Sequence, residues 1–300
     1  MLRREALDQG VRLLGEADGQ VAVRRVLADA VEHDHAASAT HSDEAREAVD
    51  QLLTLSERAR VEDVVAVEEI EHLAKDAGME AERAYLDDLL LRLQTLFGAG
   101  LVGVYVGGSW ALGGYEQGRS DLDVAVVLRE PLSDEQVEEI VAELGQESFP
   151  CPARGLELVV YTEAAAGRAT VAPGFELNLN TGTGLTFRAE RKAQPGDRHW
   201  FAIDRSVLAG HGVALFGPPA IEVFARIEPE DLRPLLADVL RWYEREAPDS
   251  EEAVLNAGRS LRFMREGIWL PKPALRPWAA GQPGANGEIL ARAISELESG

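Results

Sequence analysis

Cysteine is almost absent from this 300-residue chain: Cys151 stands alone, which excludes an internal disulfide and any zinc site built on cysteines. Lysine is nearly as scarce, with only Lys75, Lys192 and Lys272, so arginine carries most of the positive charge. No apolar run reaches the eighteen or so residues that a membrane-spanning helix needs. The opening MLRREALDQG is charged too early and too mixed in sign for a signal peptide. These absences lead to the expectation of a soluble cytoplasmic protein with no membrane partner.

Positive charge as a whole is also short. Fifty-two acidic residues face thirty basic ones, a formal net charge of −22. Such a field repels nucleic-acid backbones and disfavours a polynucleotide substrate, whereas a polycationic small molecule is drawn to it. Solubility alone accounts for the acidity equally well. Three hundred residues are enough for two domains and an appendage.

Against this background one stretch stands out, Val104 to Val127, reading VYVGGSWALGGYEQGRSDLDVAVV. An apolar run, Leu101–Val106, leads into a turn with Gly107, Gly108, Ser109, Gly113 and Gly114, and Asp121 and Asp123 open a second apolar run. Side chains two apart on a strand share a face, so the two aspartates project together. Paired carboxylates repel unless a cation sits between them, and with an adjacent phosphate they suit Mg²⁺. The glycines let the backbone approach a bulky anion, and N–H groups of such a turn hold phosphate oxygens. A solvated hairpin explains either half alone but not their conjunction, with Ser109 and Ser120 at the two ends.

The pattern Gly-Ser, spacer, Asp-x-Asp resembles the nucleotidyltransferase superfamily that includes DNA polymerase beta. GGSWALGGYEQGRSDLDVAVV is most similar to the aminoglycoside (streptomycin/spectinomycin) adenylyltransferases. The resemblance runs over roughly residues 84–280. It implies an α+β fold: a small mixed sheet with helices over 82–190, then an all-helical domain over 197–300. Residues 1–81 read as a helical N-terminal extension outside it. It further implies ATP as co-substrate and two Mg²⁺ on Asp121 and Asp123, with Gly108, Ser109 and Ser120 on the phosphates.

CPARGLELVVYT reads as a third strand, Leu156–Tyr161, with Glu157 among apolar residues. By spacing alone an edge-strand glutamate facing solvent is the simpler reading. The resemblance assigns Glu157 as the general base for the attacking hydroxyl. NAGRSLRFMREGIWLPK aligns with the family's nucleotide-contacting stretch, which puts those roles on Arg259 and Lys272. It also places Asp249 and Glu252 on the substrate side, although an Asp-x-x-Glu cap explains both equally well. One departure matters. Where the family has a tryptophan that packs on streptomycin, this chain has Gly182, which counts against streptomycin and leaves spectinomycin or another hydroxylated amine.

The remaining chain reads as helices. Leu86, Leu89, Leu90, Leu93 and Phe97 form an amphipathic stripe that Gly98 and Gly100 stop. Ser133 and Gln136 fit a capping box for a helix to about Leu144. A helix carrying His199, Trp200 and Asp204 ends near Gly210 or Gly212, and its histidines, His199 and His211, fit helix-surface or helix-end positions better than catalysis. His33, His35 and His41 fall in an acidic loop-like segment and read as exposed. The function expected is transfer of AMP to a hydroxyl of a cationic small molecule, an aminoglycoside or spectinomycin-like antibiotic. The alternatives are modification of protein or tRNA, as in toxin–antitoxin systems, and a non-catalytic nucleotide-binding module.

Overall fold

Six strands carry the site. In the computed structural model, which describes residues 79–194 and 196–299, they are Leu101–Val106 (β1), Leu122–Leu128 (β2), Leu156–Thr162 (β3), Phe175–Thr181 (β4), Arg188–Glu190 (β5) and Val213–Phe216 (β6). The sheet order is β5-β4-β3-β2-β1-β6. β2 and β3 run parallel and every other neighbouring pair is antiparallel, so the sheet is mixed, as expected. From Ala81 onward the described residues form one compact unit. The expected N-terminal helices and His33, His35 and His41 lie outside the described residues.

β2 is almost wholly buried, as its near-continuous apolar run LDVAVVL requires of a strand covered on both faces. A parallel β2–β3 pair needs a crossover, which the helix Asp134–Leu144 provides. Ser133 starts that helix with the expected capping box: its hydroxyl accepts from the Gln136 N–H at 3.2 Å, and Gln136 accepts from the Ser133 N–H at 3.0 Å. Ahead of the sheet, the helix Glu80–Phe97 (α1) buries Tyr85, Leu86, Leu89 and Leu93.

The helix Arg198–His211 (α2) is the seam of the molecule. Phe201, Leu208 and Ala209 join a core with Tyr105, Val127 and Tyr161 of the sheet. Ala202, Ile203 and Val207 of the same helix enter a second core with Leu236, Leu240, Ala257 and Leu290. That second core is helical, built from Pro229–Glu246 (α3), Glu251–Glu266 (α4) and Asn286–Ser299 (α5). α4 ends at Gly267, whose φ of +69 is the left-handed conformation that glycine favours at a helix end.

The region beyond residue 197 is not all helical. Gly212 ends α2, and the next four residues, β6, pair with β1 and close the sheet on that side. So short and largely exposed a strand gives no periodic signal next to a strong helix.

Arg205 is 2 % exposed, and its guanidinium donates to the Thr170 and Ala172 carbonyls, both at 2.6 Å. It ties α2 to the β3–β4 connection. Arg205→Met should lower stability by roughly 2–4 kcal/mol in urea unfolding, because charge-assisted bonds are lost and buried carbonyls are left without donors.

Candidate active site

Register brings the carboxylates together. Asp123 on β2 lies opposite Glu157 on β3, and Glu157 lies opposite Asn180 on β4. Asn180 donates its side-chain amide to Glu157 at 3.4 Å. Glu157 therefore stands on a central strand beside Asp123, not on an edge facing solvent. Asp121, just before β2, receives Arg154 Nη1 on its Oδ2 at 3.1 Å.

The glycine turn is shaped around Asp123. Gly108 has φ +53, and a Cβ there would sit 1.7 Å from Asp123 Oδ2, so only glycine fits. The Gly107 N–H donates to the Asp123 carbonyl at 2.8 Å. That N–H is spent on the fold and is not a free phosphate donor. Ser109 Oγ is buried without a hydrogen-bond partner among the described residues. Ser120 Oγ accepts from the Glu116 N–H at 3.0 Å and closes the turn itself.

Three contacts fix this turn to its surroundings. Tyr115 donates its hydroxyl to the buried Glu82 of α1 at 3.0 Å. Arg276 bridges Glu116 at 3.1 Å and Glu251 of α4 at 3.0 Å. Gly114 lies so close to Pro271 that a Cβ would meet its ring at 2.7 Å. The Pro271-Lys272-Pro273 segment thus rests on the glycine turn, which delivers Lys272 to the carboxylates.

Arg259 of α4 lies with its guanidinium 5.4 Å from the Trp269 ring centroid. Lys272 is ion-paired with Glu252. Burial alone would raise the Glu252 carboxyl, but Lys272 and hydrogen bonds from Lys272 and Tyr243 bring it below its ordinary value. The Asp249–Glu252 cap is not formed. Ser250 caps α4 instead, its hydroxyl accepting from the Ala253 N–H at 3.1 Å. Asp249 remains exposed, and its carboxylate makes no hydrogen bond or ion pair with a described residue.

A fourth carboxylate belongs to the group, Asp204 of α2. Burial pushes it up to about 8, Asp123 and Asp121 add to the rise, and Arg259 and Lys272 oppose it. Burial likewise takes Glu157 up to about 8, helped by Asp121 and Asp204 and countered by Arg154 and Arg188. Asp123 is held well above the carboxylate range by burial, then by Asp121 and Glu157, with Lys272 and Arg259 pulling the other way. The resemblance marks Asp204 together with His199 and Trp200 but assigns it no role. The signal available was an aspartate between apolar Ile203 and Val207 on a helix buried on nearly all sides. His199 is buried and its pKa lowered by that burial; the carboxylate cluster forms without it.

Among the described residues, no three His, Cys, Asp or Glu side chains converge tightly enough to hold a metal unaided. Mg²⁺ commonly takes one or two carboxylates and completes its octahedron with phosphate oxygens and water. The Asp121 and Asp123 pair, with the unpartnered Ser109 hydroxyl beside it, fits that donor set.

The nucleotidyltransferase-domain profile matches residues 86–153, which contain the glycine turn and both aspartates. The chain carries a nucleotidyltransferase domain. Its fold is similar to that of a spectinomycin adenyltransferase from Enterococcus faecialis, solved with ATP and spectinomycin, at TM-score 0.53 and 18 % identity. The match covers 72 % of this chain and 89 % of that one. No curated protein sequence matches the chain.

Two outcomes follow for this nucleotidyltransferase. Gly108→Ala should keep the fold by circular dichroism but displace the Asp123 carboxylate, and a shift of that size costs about 10²-fold in turnover. For Asp204, a raised folded-state pKa means stability present in full below the ordinary carboxylate value and lost as pH rises toward about 8. The Tm advantage of Asp204→Asn over the parent should therefore be absent near pH 4 and grow to several degrees by pH 8 in metal-free buffer.

Proposed function

We propose that this nucleotidyltransferase moves AMP from ATP to a hydroxyl of a cationic small molecule of the spectinomycin and aminoglycoside class, releasing pyrophosphate. The observation that carries the reading is convergence. Asp121, Asp123 and Glu157 come from the sheet, and the cations that oppose the charge of Asp123 are Lys272 and Arg259, more than a hundred residues away.

In the reaction, Glu157 takes the proton of the acceptor hydroxyl. The freed oxygen attacks the α-phosphorus, and the bond from that phosphorus to the β-phosphate oxygen breaks. Arg259 and Lys272 would stabilise the charge of the departing pyrophosphate. The buried Ser109 hydroxyl is free to donate to an outer phosphate, and Gly108 leaves room for the Asp123 carboxylate beside it. Mg²⁺ bound at Asp121 and Asp123, two ions in the usual arrangement for such sites, would stabilise the attacking and leaving oxygens. Ser120 contributes by holding the turn.

The acceptor side is acidic. Glu252, and Asp249 with no capping duty, offer carboxylates to ammonium groups. Gly182 has φ +141, and a Cβ there would meet the Gly155 Cα at 2.4 Å. A tryptophan cannot replace it without moving that backbone, which supports spectinomycin over streptomycin.

Pyrophosphate release from ATP and Mg²⁺ should occur with spectinomycin or a related amine and not with streptomycin. Asp121→Ala and Asp123→Ala should reduce it to background. Glu157→Gln should bind ATP normally yet lose turnover by about 10²–10⁴-fold. No turnover with any cationic acceptor, together with transfer of labelled AMP to protein or RNA in a lysate, would overturn the small-molecule reading.

A further inference from the structure

Arg154 has no part in the chemistry described so far, yet its mounting is unusually complete. Its backbone N–H donates to the Ser120 carbonyl at 3.2 Å, immediately before Asp121. Its carbonyl accepts from the Gly184 N–H at 2.9 Å, and the next residue's carbonyl accepts from the Leu122 N–H at 2.9 Å. Bonds on both sides therefore hold Arg154 in register with the Asp121–Asp123 segment. Two glycines make room for it. A Cβ at Gly184 would lie 2.5 Å from Arg154 Cγ, and one at Gly182 would lie 2.9 Å from the Arg154 carbonyl oxygen.

From this base the side chain reaches Asp121 and takes one oxygen, Oδ2, at 3.1 Å. The other oxygen, Oδ1, accepts no hydrogen bond from a described residue. An exposed ion pair is worth little as a stabilising device, and this arginine is 48 % exposed. Its backbone would be fixed by the same bonds with any side chain. What the arginine adds is a fixed rotamer for Asp121, with one oxygen engaged and one left for a ligand.

We infer that Arg154 is a positioning residue for Asp121, orienting its carboxylate so that Oδ1 is presented to a divalent cation beside Asp123. This rests on the proposed nucleotidyl transfer, in which those two aspartates hold Mg²⁺. Partners of ligating carboxylates commonly set metal affinity in this way, and their loss costs about 10–100-fold. The planar guanidinium also fixes direction as an ammonium cannot.

The test uses the full-length protein and Mn²⁺ alone, with binding read by electron paramagnetic resonance and no turnover required. Arg154→Ala should weaken Mn²⁺ binding by about 10–100-fold, with Tm within a few degrees of the parent. In the transfer assay the Mg²⁺ requirement should rise, with kcat largely recovered at saturating Mg²⁺. Arg154→Lys should restore part of the Mn²⁺ affinity, since it returns the charge without the fixed geometry. Equal or tighter Mn²⁺ binding by Arg154→Ala would overturn the inference, the tighter result making the arginine a competitor for Asp121. Asp121→Ala separates the two levels. If it binds Mn²⁺ as well as the parent, the metal assignment itself fails; if it loses binding while Arg154→Ala does not, only the role of Arg154 fails.

Discussion

Repulsion among carboxylates at the head of β2 and β3 is the constraint around which the rest of the structure is arranged. Burial first, and then neighbouring carboxylates with Asp121 among them, raise the proton affinity of Asp123, Glu157 and Asp204. A protein selected for stability alone would not gather them. The fold holds them there by strong local means: parallel register between β2 and β3, a glycine with positive φ against Asp123, and a helix shared between two cores. In the proposed reaction the balancing positive charge arrives with the ligands.

The helical region answers that charge. Arg259 lies against Trp269, and Trp269 is fixed by its hydrogen bond to Ser206 of α2 at 3.0 Å and by stacking on Phe263 at 4.0 Å. Lys272 is set between two prolines that rest on the glycine turn. Each cation is thus mounted on an element that also touches the carboxylate side. α2 has a further part in this, because Leu208, one turn beyond Asp204, packs against Gly107, where a Cβ would lie 3.2 Å from its methyl. Helix, turn and strand pair position the charges jointly.

Much of this was legible in the residues. The apolar runs of β1 and β2 coincide with the strands, because strands buried on both faces leave near-continuous hydrophobic sequence. Asp-x-Asp at a strand start specifies a shared face by geometry alone. Ser133 with Gln136, and Gly267 after α4, are local signals and need no tertiary knowledge. What was not legible depends on contacts distant in sequence. Asp204 looks like any polar residue of a helix until α2 is seen packed on both sides. Asp249 carries the right chemistry for a cap, but the helix begins one residue later, and Ser250 has the same chemistry. β6 is too short and too exposed to imprint a period. Glu157 reads as an edge residue until β4 is known to cover the far side of β3.

In the proposed reaction, the loop after β4 links metal support with acceptor choice. Gly182 and Gly184 lie against Arg154 and Gly155 so closely that neither tolerates a side chain. That contact seats the backbone from which Arg154 reaches Asp121. It also removes any aromatic from the position that would stack on a bulky acceptor. In the proposed reaction, an aromatic at residue 182 would have to push the Arg154–Gly155 backbone away and carry Arg154 with it. Gaining a stacking surface there would therefore disturb the carboxylate that holds the cation. On the proposed reading, the lack of an aromatic at residue 182 and the orientation of Asp121 both follow from the same pair of glycines.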